Sequence, residues 1–287
     1  MSDGRQVLLT GATGGIGLAA AIELARRGHR LAIVARSQTR ADEAVRRIGA
    51  AAGDAGRVDV LIADLASQAS VRALAAEALA RYPRIDVLVN NAGAVYSTRQ
   101  LTEDGIELTW AVNHLAPFLL TTLLLDRLAE SAPARVVTTA SRAHVGARIP
   151  FDDLAGERSF GPRGFARYGQ TKLANVFFTL ELARRLEGTG VTAYCFHPGV
   201  VATGFNRNNG GLMRFGMTLI RPFARSPERG AETLVLLAES PEVSGESGRY
   251  YFDRHWIRPS PAGQDAEAAR RLWEVSEQQV RASAGRL

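Results

Sequence analysis

Cysteine is almost absent from this 287-residue chain. Cys195 is the single one, which excludes an intrachain disulfide and favours a reducing compartment such as the cytoplasm. Histidine is also sparse, and the five histidines at positions 29, 114, 144, 197 and 255 show no spacing typical of metal ligands. We therefore expect no disulfide and no bound metal.

Long apolar runs and long basic runs are missing as well. The longest apolar stretch, residues 115–125, is far shorter than the roughly 20 residues that span a bilayer. The N-terminus passes directly into an apolar run at 7–9, where we see no signal peptide or anchor. The net charge of +6 could favour nucleic acid, but the arginines are scattered without a run of four. We expect a soluble, cytoplasmic protein that binds no nucleic acid and has no membrane span.

Lysine is the rarest charged residue, since only one of the 35 Lys and Arg residues is a lysine, Lys172. Arginine and lysine are interchangeable on a solvated surface but not in a compact polar site. Tyr168 lies four residues earlier, so on a helix the two side chains share one face. A neighbouring ammonium favours the phenolate and lowers the pKa of a tyrosine towards working pH, where a general acid or base is most useful. A chance pair on one helix face is the alternative.

Short apolar runs alternate with longer segments of helical period. Strands are predicted at 7–9, 31–34, 58–62, 87–89, 136–138 and 191–194, and helices at 16–27, 40–50, 67–81, 108–128, 168–186, 228–238 and 265–281. Apolar strands separated by helices are typical of a doubly wound, parallel α/β sheet of the Rossmann type. No repeat or linker divides the chain, so residues 1–287 are predicted to form one domain. Residues 204–226 break the alternation, and we expect a substrate lid there.

A glycine-rich turn follows the first predicted strand and opens the first helix. It reads Thr-Gly-Ala-Thr-Gly-Gly-Ile-Gly over residues 10–17. Glycines let the backbone approach a pyrophosphate, and the helix N-terminus supplies unpaired N–H groups and a partial positive charge. This context predicts a dinucleotide site, although a merely tight turn is the alternative. The candidate cofactor-binding residues are Gly11, Thr13, Gly14, Gly15, Ile16 and Gly17.

The end of the second strand bears on which nicotinamide cofactor is used. An acidic residue there would bond a ribose 2'-hydroxyl, whereas an arginine would meet a 2'-phosphate. Arg36 and Ser37 stand at this place. Arg36, helped by Ser37 and Arg40, favours NADP(H) over NAD(H), with an ordinary surface arginine as the alternative.

Two later strand ends are expected at the same crevice. Asp64 and Leu65 follow the third strand, where Asp64 either accepts a bond from the adenine amino group or caps the next helix. Asn90, Ala92 and Gly93 follow the fourth strand and offer a small, polar turn where the strand order of such sheets reverses. Turn amides with a purely structural role would explain the second group equally well.

With these residues placed, the sequence resembles the short-chain dehydrogenase/reductase family over nearly its whole length. The matching motifs, in order, are the glycine turn at 10–17, Asn-Asn-Ala-Gly at 90–93, Asn113, Ser141, Tyr-x-x-x-Lys at 168–172, and Pro198-Gly199 with Thr203 beyond. Within that family, the sequence looks most like the retinol dehydrogenase-like branch. The segments that carry this likeness are 112–118, 141–144, 168–175, 197–201 and 247–251. That branch implies NADP-linked interconversion of apolar aldehydes or ketones and their alcohols.

The resemblance implies four catalytic roles. Tyr168 would give or take the proton, and Ser141 would hydrogen-bond the reacting oxygen. Lys172 would lower the phenol pKa and bond the nicotinamide ribose, and Asn113 would hold a water that links Lys172 to solvent. The family also implies cofactor contacts from Tyr168, Lys172, Pro198, Gly199, Val201 and Thr203.

Two positions depart from the family pattern. Ala140 replaces the first of two serines that usually precede this turn, so only the hydroxyl of Ser141 remains. Gly14 stands where NADP-preferring members often carry a basic or polar residue, so the whole preference for a 2'-phosphate rests on Arg36.

Apolar residues in 204–226 favour a greasy pocket for a small lipophilic carbonyl or alcohol substrate. The candidate pocket residues are His144, Phe205, Leu212, Met213 and Phe215. Ordinary core packing, a dimer contact or a membrane-surface contact is the alternative for this segment. His144 is also a tempting acid, but histidines more often pack or bond the backbone.

Two rival functions stay open beside the reductase. One is an NADP(H)-binding redox sensor with incidental catalysis, against which the intact Tyr-Lys-Ser-Asn set counts. The other is an epimerase or dehydratase, whose glycine spacing and C-terminal domain would differ. The resemblance further implies a homodimer or homotetramer, paired through the helices that start near 103 and 166.

Overall fold

A computed structural model describes residues 4–53, 58–201 and 224–284. The strands are β1 Gln6–Thr10, β2 Arg30–Ala35, β3 Val58–Ile62, β4 Val87–Asn90, β5 Ala134–Thr139, β6 Val191–His197, β7 Arg249–Phe252 and β8 His255–Ile257. They form one sheet in the order β3-β2-β1-β4-β5-β6-β7-β8, in which only β8 runs antiparallel to its neighbour. The six strands predicted from apolar runs are confirmed. The sequence analysis missed β7 and β8, which are too short to show a period.

Helices cover both faces of this sheet. They are α1 Gly15–Arg26, α2 Gln38–Ala52, α3 Gln68–Arg81, α4 Leu108–Glu130, α5 Phe165–Arg185, α6 Pro227–Glu239 and α7 Ala266–Ala284. Helices α3, α4, α5 and α7 build the apolar core on one face, and α1, α2 and α6 build the core on the other. Strands with helices on both sides are apolar throughout, which is why the pattern was readable from the sequence.

The strand order reverses between β1 and β4. Leu8 of β1 pairs with Ala32 of β2 on one side and with Leu88 of β4 on the other. In doubly wound sheets, the crevice at the carboxyl ends of two such strands is where ligands bind. The predicted Rossmann arrangement is therefore confirmed, and its reversal point identifies the edge where the site should lie.

Helix α4 is the one helix of the described residues that is long and apolar enough to cross a bilayer by length and composition alone. It has 23 residues, and a window of 18 of them reaches a mean hydropathy of 1.4. However, 72% of that apolar window is buried inside the protein. Core helices of soluble proteins commonly pass the same test, so this helix is weak evidence for a membrane span.

The C-terminal helix α7 lies against α4 and α5. The Trp273 ring stacks on Phe178 of α5 at 5.9 Å and meets Phe118 of α4 edge-on at 4.9 Å. The indole of Trp110 donates to Gln279 Oε1 at 3.0 Å. These contacts cover part of the two helices through which the family resemblance implies subunit pairing.

Candidate active site

The glycine turn between β1 and α1 packs against the end of β4 too closely for side chains. A Cβ on Gly11, whose φ is +72°, would come within 2.8 Å of the Ala92 Cα atom. A Cβ on Gly17 would come within 2.2 Å of the Gly11 carbonyl oxygen. Gly14 is different because it is exposed, has no atom within 4 Å of a Cβ position, and precedes the first turn of α1. The turn thus leaves a bare backbone and a helix N-terminus open at the edge, as a dinucleotide pyrophosphate requires.

Polar side chains join the ends of β1, β4 and β5. Thr10 Oγ1 accepts from the backbone N–H groups of Asn91 and Ala92, at 3.1 Å each, and donates to the Val89 carbonyl at 3.2 Å. The Asn91 amide donates to the Gly11 carbonyl at 3.3 Å, and its oxygen accepts from a threonine of β5 at 3.2 Å. Sequence reasoning missed Thr10 and Asn91 as positioning residues, although both lie inside the recognised motifs.

Asn90, by contrast, has its side chain inside the protein. It is 2% exposed, and its amide donates to Thr121 of α4 at 2.9 Å. Ala92 and Gly93 are half-buried at the crevice, as predicted. A cofactor contact from Asn90 can therefore come only from its backbone.

The residues expected to select the cofactor lie exposed at the carboxyl ends of β2 and β3. Within the described part of the chain, Arg36 forms no ion pair with a carboxylate, and Ser37 stands at the N-cap of α2 without a side-chain capping bond. Asp64 is exposed, and its Oδ1 accepts from the nearby Ala66 N–H at 3.0 Å. The cap of α3 is Ser67, so the alternative of Asp64 as a helix cap is excluded. The neighbouring Leu65 packs against the core, half-buried.

Lys172, Tyr168 and Ser141 come together at the carboxyl end of β5. The Lys172 ammonium is 2% exposed, lies 5.5 Å from the centre of the Tyr168 ring, and donates to the Thr139 carbonyl at 2.9 Å. The Ser141 side chain hydrogen-bonds the Tyr168 hydroxyl. Ser141 Oγ also accepts from the Ala143 N–H at 3.2 Å, so one of its lone pairs is occupied and its O–H can donate.

The electrostatics of this cluster differ from the sequence-based expectation. Burial raises the pKa of Tyr168 to about 12, and the hydrogen bond from Ser141 only partly opposes this effect. Burial also lowers the pKa of Lys172 to about 8. The net pKa of Tyr168 therefore lies above its ordinary value, because loss of hydration dominates for both groups and the Lys172 ammonium is directed at the Thr139 carbonyl. At neutral pH, Tyr168 is a protonated phenol.

Asn113 lies next to this cluster on a π-helical turn, residues Ala111–Leu115, within α4. Its side chain is fully buried: Oδ1 accepts from the Ala94 N–H and Nδ2 donates to the Ala94 carbonyl, both at 2.8 Å. Nδ2 also donates to Thr171 Oγ1 at 3.1 Å. A Cβ on Gly93 would lie 3.3 Å from Asn113 Oδ1 and 3.5 Å from Lys172 Nζ, so a glycine there lets both groups face the crevice. The π turn, a feature frequent at functional sites, was not anticipated from the sequence.

Glu107 and Arg167 form a buried ion pair beside the cluster, which sequence reasoning missed. Arg167 Nε donates to Glu107 Oε2 at 2.7 Å, and both side chains are 0% exposed. Glu107 also accepts from two backbone N–H groups in the first turn of α4, at 2.9 and 3.0 Å. Arg167 directly precedes Tyr168, so the pair joins the helix of Asn113 to the helix of Tyr168. One arginine in so arginine-rich a chain gives no signal of this role.

His144, the one candidate pocket residue among the described residues, has its ring in the interior of the protein. It is 2% exposed, its Nδ1 lies 2.7 Å from the Ser141 carbonyl, and its Nε2 accepts from the Ser260 N–H at 3.0 Å. Both ring nitrogens are therefore used within the protein. His197, also buried, stacks on Phe252 at 4.1 Å.

The segment after β6 is described as far as Val201. Pro198 and Gly199 are half-buried, Gly199 has a φ of +81°, and Val201 is 8% exposed. Most of the expected lid at 204–226 lies outside the described residues, and so do the candidate residues Thr203, Phe205, Leu212, Met213 and Phe215.

No group of His, Cys, Asp and Glu side chains suited to a metal occurs in residues 4–53, 58–201 and 224–284. A surface groove of about 1180 Å³ between α1 and α6, lined by Glu23 and Glu239 among others, contains none of the cluster side chains.

Comparison with known proteins agrees with this geometry. The model of the family described as short chain dehydrogenase matches residues 5–211. Human retinol dehydrogenase 14 is 42% identical over 96% of this chain and 86% of its own length. The crystal structure of an uncharacterised protein from Mycobacterium paratuberculosis superposes with a TM-score of 0.76 and 33% identity, covering 96% of this chain and 93% of the other. A Pseudomonas aeruginosa RhlG/NADP active-site complex superposes with a TM-score of 0.69 and 27% identity, covering 87% and 94%.

The family match spans both the glycine turn and the Tyr168–Lys172 helix, and the similarity to the retinol dehydrogenase covers 96% of the chain. The chain therefore belongs to the short-chain dehydrogenase family, in its retinol dehydrogenase-like branch, and is an oxidoreductase that interconverts alcohols and carbonyls with a nicotinamide cofactor.

Proposed function

We propose that this protein is an NADP(H)-dependent oxidoreductase that interconverts a lipophilic aldehyde or ketone and its alcohol, with Tyr168 as the general acid or base. The observation that carries the proposal is the contact of Ser141 with the protonated hydroxyl of the half-buried Tyr168, next to the only lysine of the chain. The names of the similar proteins, a retinol dehydrogenase and an NADP complex, support the substrate class and the cofactor.

The cofactor would be held along the carboxyl edge of the sheet. The turn from Gly11 to Gly17 would receive the pyrophosphate, and Arg36 would meet the 2'-phosphate of NADP(H). Asp64 and Gly93 flank the same edge, and Lys172 would reach the ribose next to the nicotinamide. The bound nicotinamide supplies or accepts the hydride.

In the reductive direction, Tyr168 holds the proton that the carbonyl oxygen needs. A phenol whose pKa lies at about 12 keeps this proton at neutral pH, and the developing alkoxide is a strong enough base to take it. When a carbonyl binds, the Ser141 O–H would turn from the Tyr168 hydroxyl to the same oxygen, while the Ala143 N–H still occupies one acceptor position of the serine. Alcohol oxidation needs the phenolate, so we expect it to accelerate as the pH rises.

The proton on Tyr168 must be replaced after each reduction. Lys172 is suited to this because burial places its pKa at about 8, where it exchanges protons readily near neutral pH. Asn113 is proposed to hold a water beside this ammonium, as the family resemblance implies. Charge stabilisation and proton placement are thus the contributions of the protein.

The test is the loss of reduced-nicotinamide absorbance with NADPH and, separately, with NADH across retinal, medium-chain aldehydes and steroid ketones. Tyr168→Phe removes the transferable proton while keeping the ring. Tyr82→Phe, at the opposite edge of the sheet where the strands begin, serves as the matched control. We expect turnover with NADPH, at least about 100-fold less in Tyr168→Phe, and wild-type rates in the control. Wild-type rates in Tyr168→Phe would overturn the proposal, and tight NADPH binding without turnover of any carbonyl would favour a redox-sensing role.

A further inference from the structure

The turn that carries Ser141 lies between two other elements. From one side α5 approaches it at Gly169, where a Cβ would come within 2.8 Å of the Ala143 carbonyl oxygen. From the other side, the loop before α7 reaches the turn through His144, whose Nε2 accepts from the Ser260 N–H at 3.0 Å. The turn that carries Ser141 is therefore packed between α5 and the loop before α7.

The hydrogen-bond partners of His144 determine its protonation state. A backbone N–H can only donate, so the Nε2 atom that faces Ser260 must present a lone pair. A carbonyl oxygen can only accept, so the Nδ1 atom that lies 2.7 Å from the Ser141 carbonyl must carry the proton. The ring is thus a neutral imidazole that donates to Ser141 and accepts from Ser260. Its burial, at 2% exposure, disfavours the charged form in the same sense.

His144 also binds Ser141 twice. Its backbone N–H donates to the Ser141 carbonyl at 3.1 Å and its ring Nδ1–H donates to the same oxygen at 2.7 Å. The ring is held in this orientation by the Tyr250 ring, which meets it edge-on at 5.0 Å. With its carbonyl fixed from one side and its hydroxyl capped by the Ala143 N–H, Ser141 has little freedom to turn away from Tyr168.

We propose that His144 is a positioning residue for the reaction, which acts through its ring bond to the Ser141 carbonyl. The proposal rests on the proposed function, since Ser141 matters only if Tyr168 transfers a proton. His144 itself touches neither the reacting oxygen nor the cofactor edge.

Two amide substitutions separate the two bonds of the ring. In His144→Asn, the side-chain nitrogen falls near the Nδ1 position, so the bond to the Ser141 carbonyl can persist while the Ser260 N–H loses its acceptor. In His144→Gln, the longer side chain places its oxygen near the Nε2 position and keeps the Ser260 bond but not the bond to Ser141. Each variant loses one buried hydrogen bond, worth about 1 kcal/mol, so their stabilities should be similar.

We expect kcat to fall by about 10-fold or more in His144→Gln and by less than about 3-fold in His144→Asn, with KM for NADPH unchanged in both. In a Ser141→Ala background, His144→Gln should cause no further loss of kcat, because the residue through which it acts is gone. Equal losses in the two variants, or full additivity with Ser141→Ala, would overturn the proposal.

A second measurement does not depend on catalysis or on the folding of the glutamine variant. Nitrogen NMR of ¹⁵N-histidine-labelled wild type, with the signal assigned by its disappearance in His144→Asn, reports which ring nitrogen carries the proton. A neutral ring protonated on Nδ1 is expected, and a proton on Nε2 would refute the role of His144. Absence of turnover in the wild type, together with the Nδ1–H form, would instead count against the proposed function alone.

Discussion

Arg36 offers the sharpest test of the proposed preference for NADP(H) over NAD(H). Its guanidinium is exposed at the end of β2, and none of the described carboxylates neutralises it. Gly14, the other position from which a cation could reach the 2'-phosphate, carries no side chain. Replacing Arg36 by alanine should therefore remove the discriminating charge without disturbing a contact that the fold needs.

The size of the effect follows from one charge-assisted contact. A hydrogen-bonded pair with a charged group contributes about 1.5–3 kcal/mol, and each 1.4 kcal/mol is a factor of ten. We expect Arg36→Ala to lower kcat/KM for NADPH by about 10-fold to 100-fold and to change kcat/KM for NADH by less than about 2-fold. Because the site is exposed, the preference for NADPH in the wild type should also weaken as salt is added.

Two further variants make the experiment specific. Arg47→Ala removes an exposed charge farther along α2 and controls for the general positive field, so it should leave the cofactor ratio within about 2-fold. Gly14→Arg places a second cation near the 2'-phosphate. The backbone there is extended, with a φ of −177°, and nothing lies within 4 Å of the new Cβ, so the substitution should fold normally and raise the NADPH preference by about 5-fold.

The assay is steady-state kinetics with each cofactor against one aldehyde that the wild type reduces, with cofactor affinity checked by fluorescence titration. The interpretation of Arg36 fails if Arg36→Ala slows NADPH and NADH equally, or if the NADPH preference survives the substitution. Either result would make Arg36 an ordinary surface residue of an arginine-rich chain.

Three other substitutions test the interior around the site. Burial lowers the pKa of Lys172 from 10.5 to about 8, so between these pH values the unfolded chain binds more protons than the folded protein. The free energy of unfolding of the wild type, relative to that of Lys172→Met, should therefore rise by up to about 3 kcal/mol from pH 8 to pH 10.5. Urea unfolding at several pH values measures this gap, and a constant gap would contradict the buried ammonium. Glu107→Gln leaves the charge of Arg167 buried without a counter-ion and should lower the free energy of unfolding by about 3 kcal/mol. Glu130→Gln, at an exposed ion pair, should lower it by less than about 1 kcal/mol. Equal urea midpoints for the two variants would show that the buried pair is not needed. Trp273→Ala should destabilise the fold by about 3–5 kcal/mol in thermal unfolding, because it uncovers α4 and α5. A variant that melts like the wild type would show that α7 is dispensable.

Much of this protein was readable because its sequence is locally consistent. Apolar strands separated by helical segments identified the sheet, and the glycine turn at 10–17 showed where α1 begins. Chemistry-bearing residues stood out where composition made them rare, as with Lys172, or where glycine is sterically required, as at Gly11 and Gly17. These signals can be read from the sequence alone because they depend on residues close in sequence or on the identity of a single residue.

Other features required the packed chain. Whether Asp64 caps a helix, and whether the Asn90 side chain faces the crevice or the core, depends on which neighbours the fold brings within hydrogen-bond reach. The interior role of His144 depends on Ser260, a residue 116 positions away in the chain.

By itself, the sequence determined the doubly wound sheet, the family and the identity of the residues that gather at its carboxyl edge, because periodicity and motif spacing are local properties. Only the tertiary structure decided that burial raises the pKa of Tyr168, that Glu107 and Arg167 join the helices of Asn113 and Tyr168, and that α7 covers α4 and α5. Hydration, charge pairing and helix packing are set by distances between segments far apart in the chain, and those distances exist only after folding.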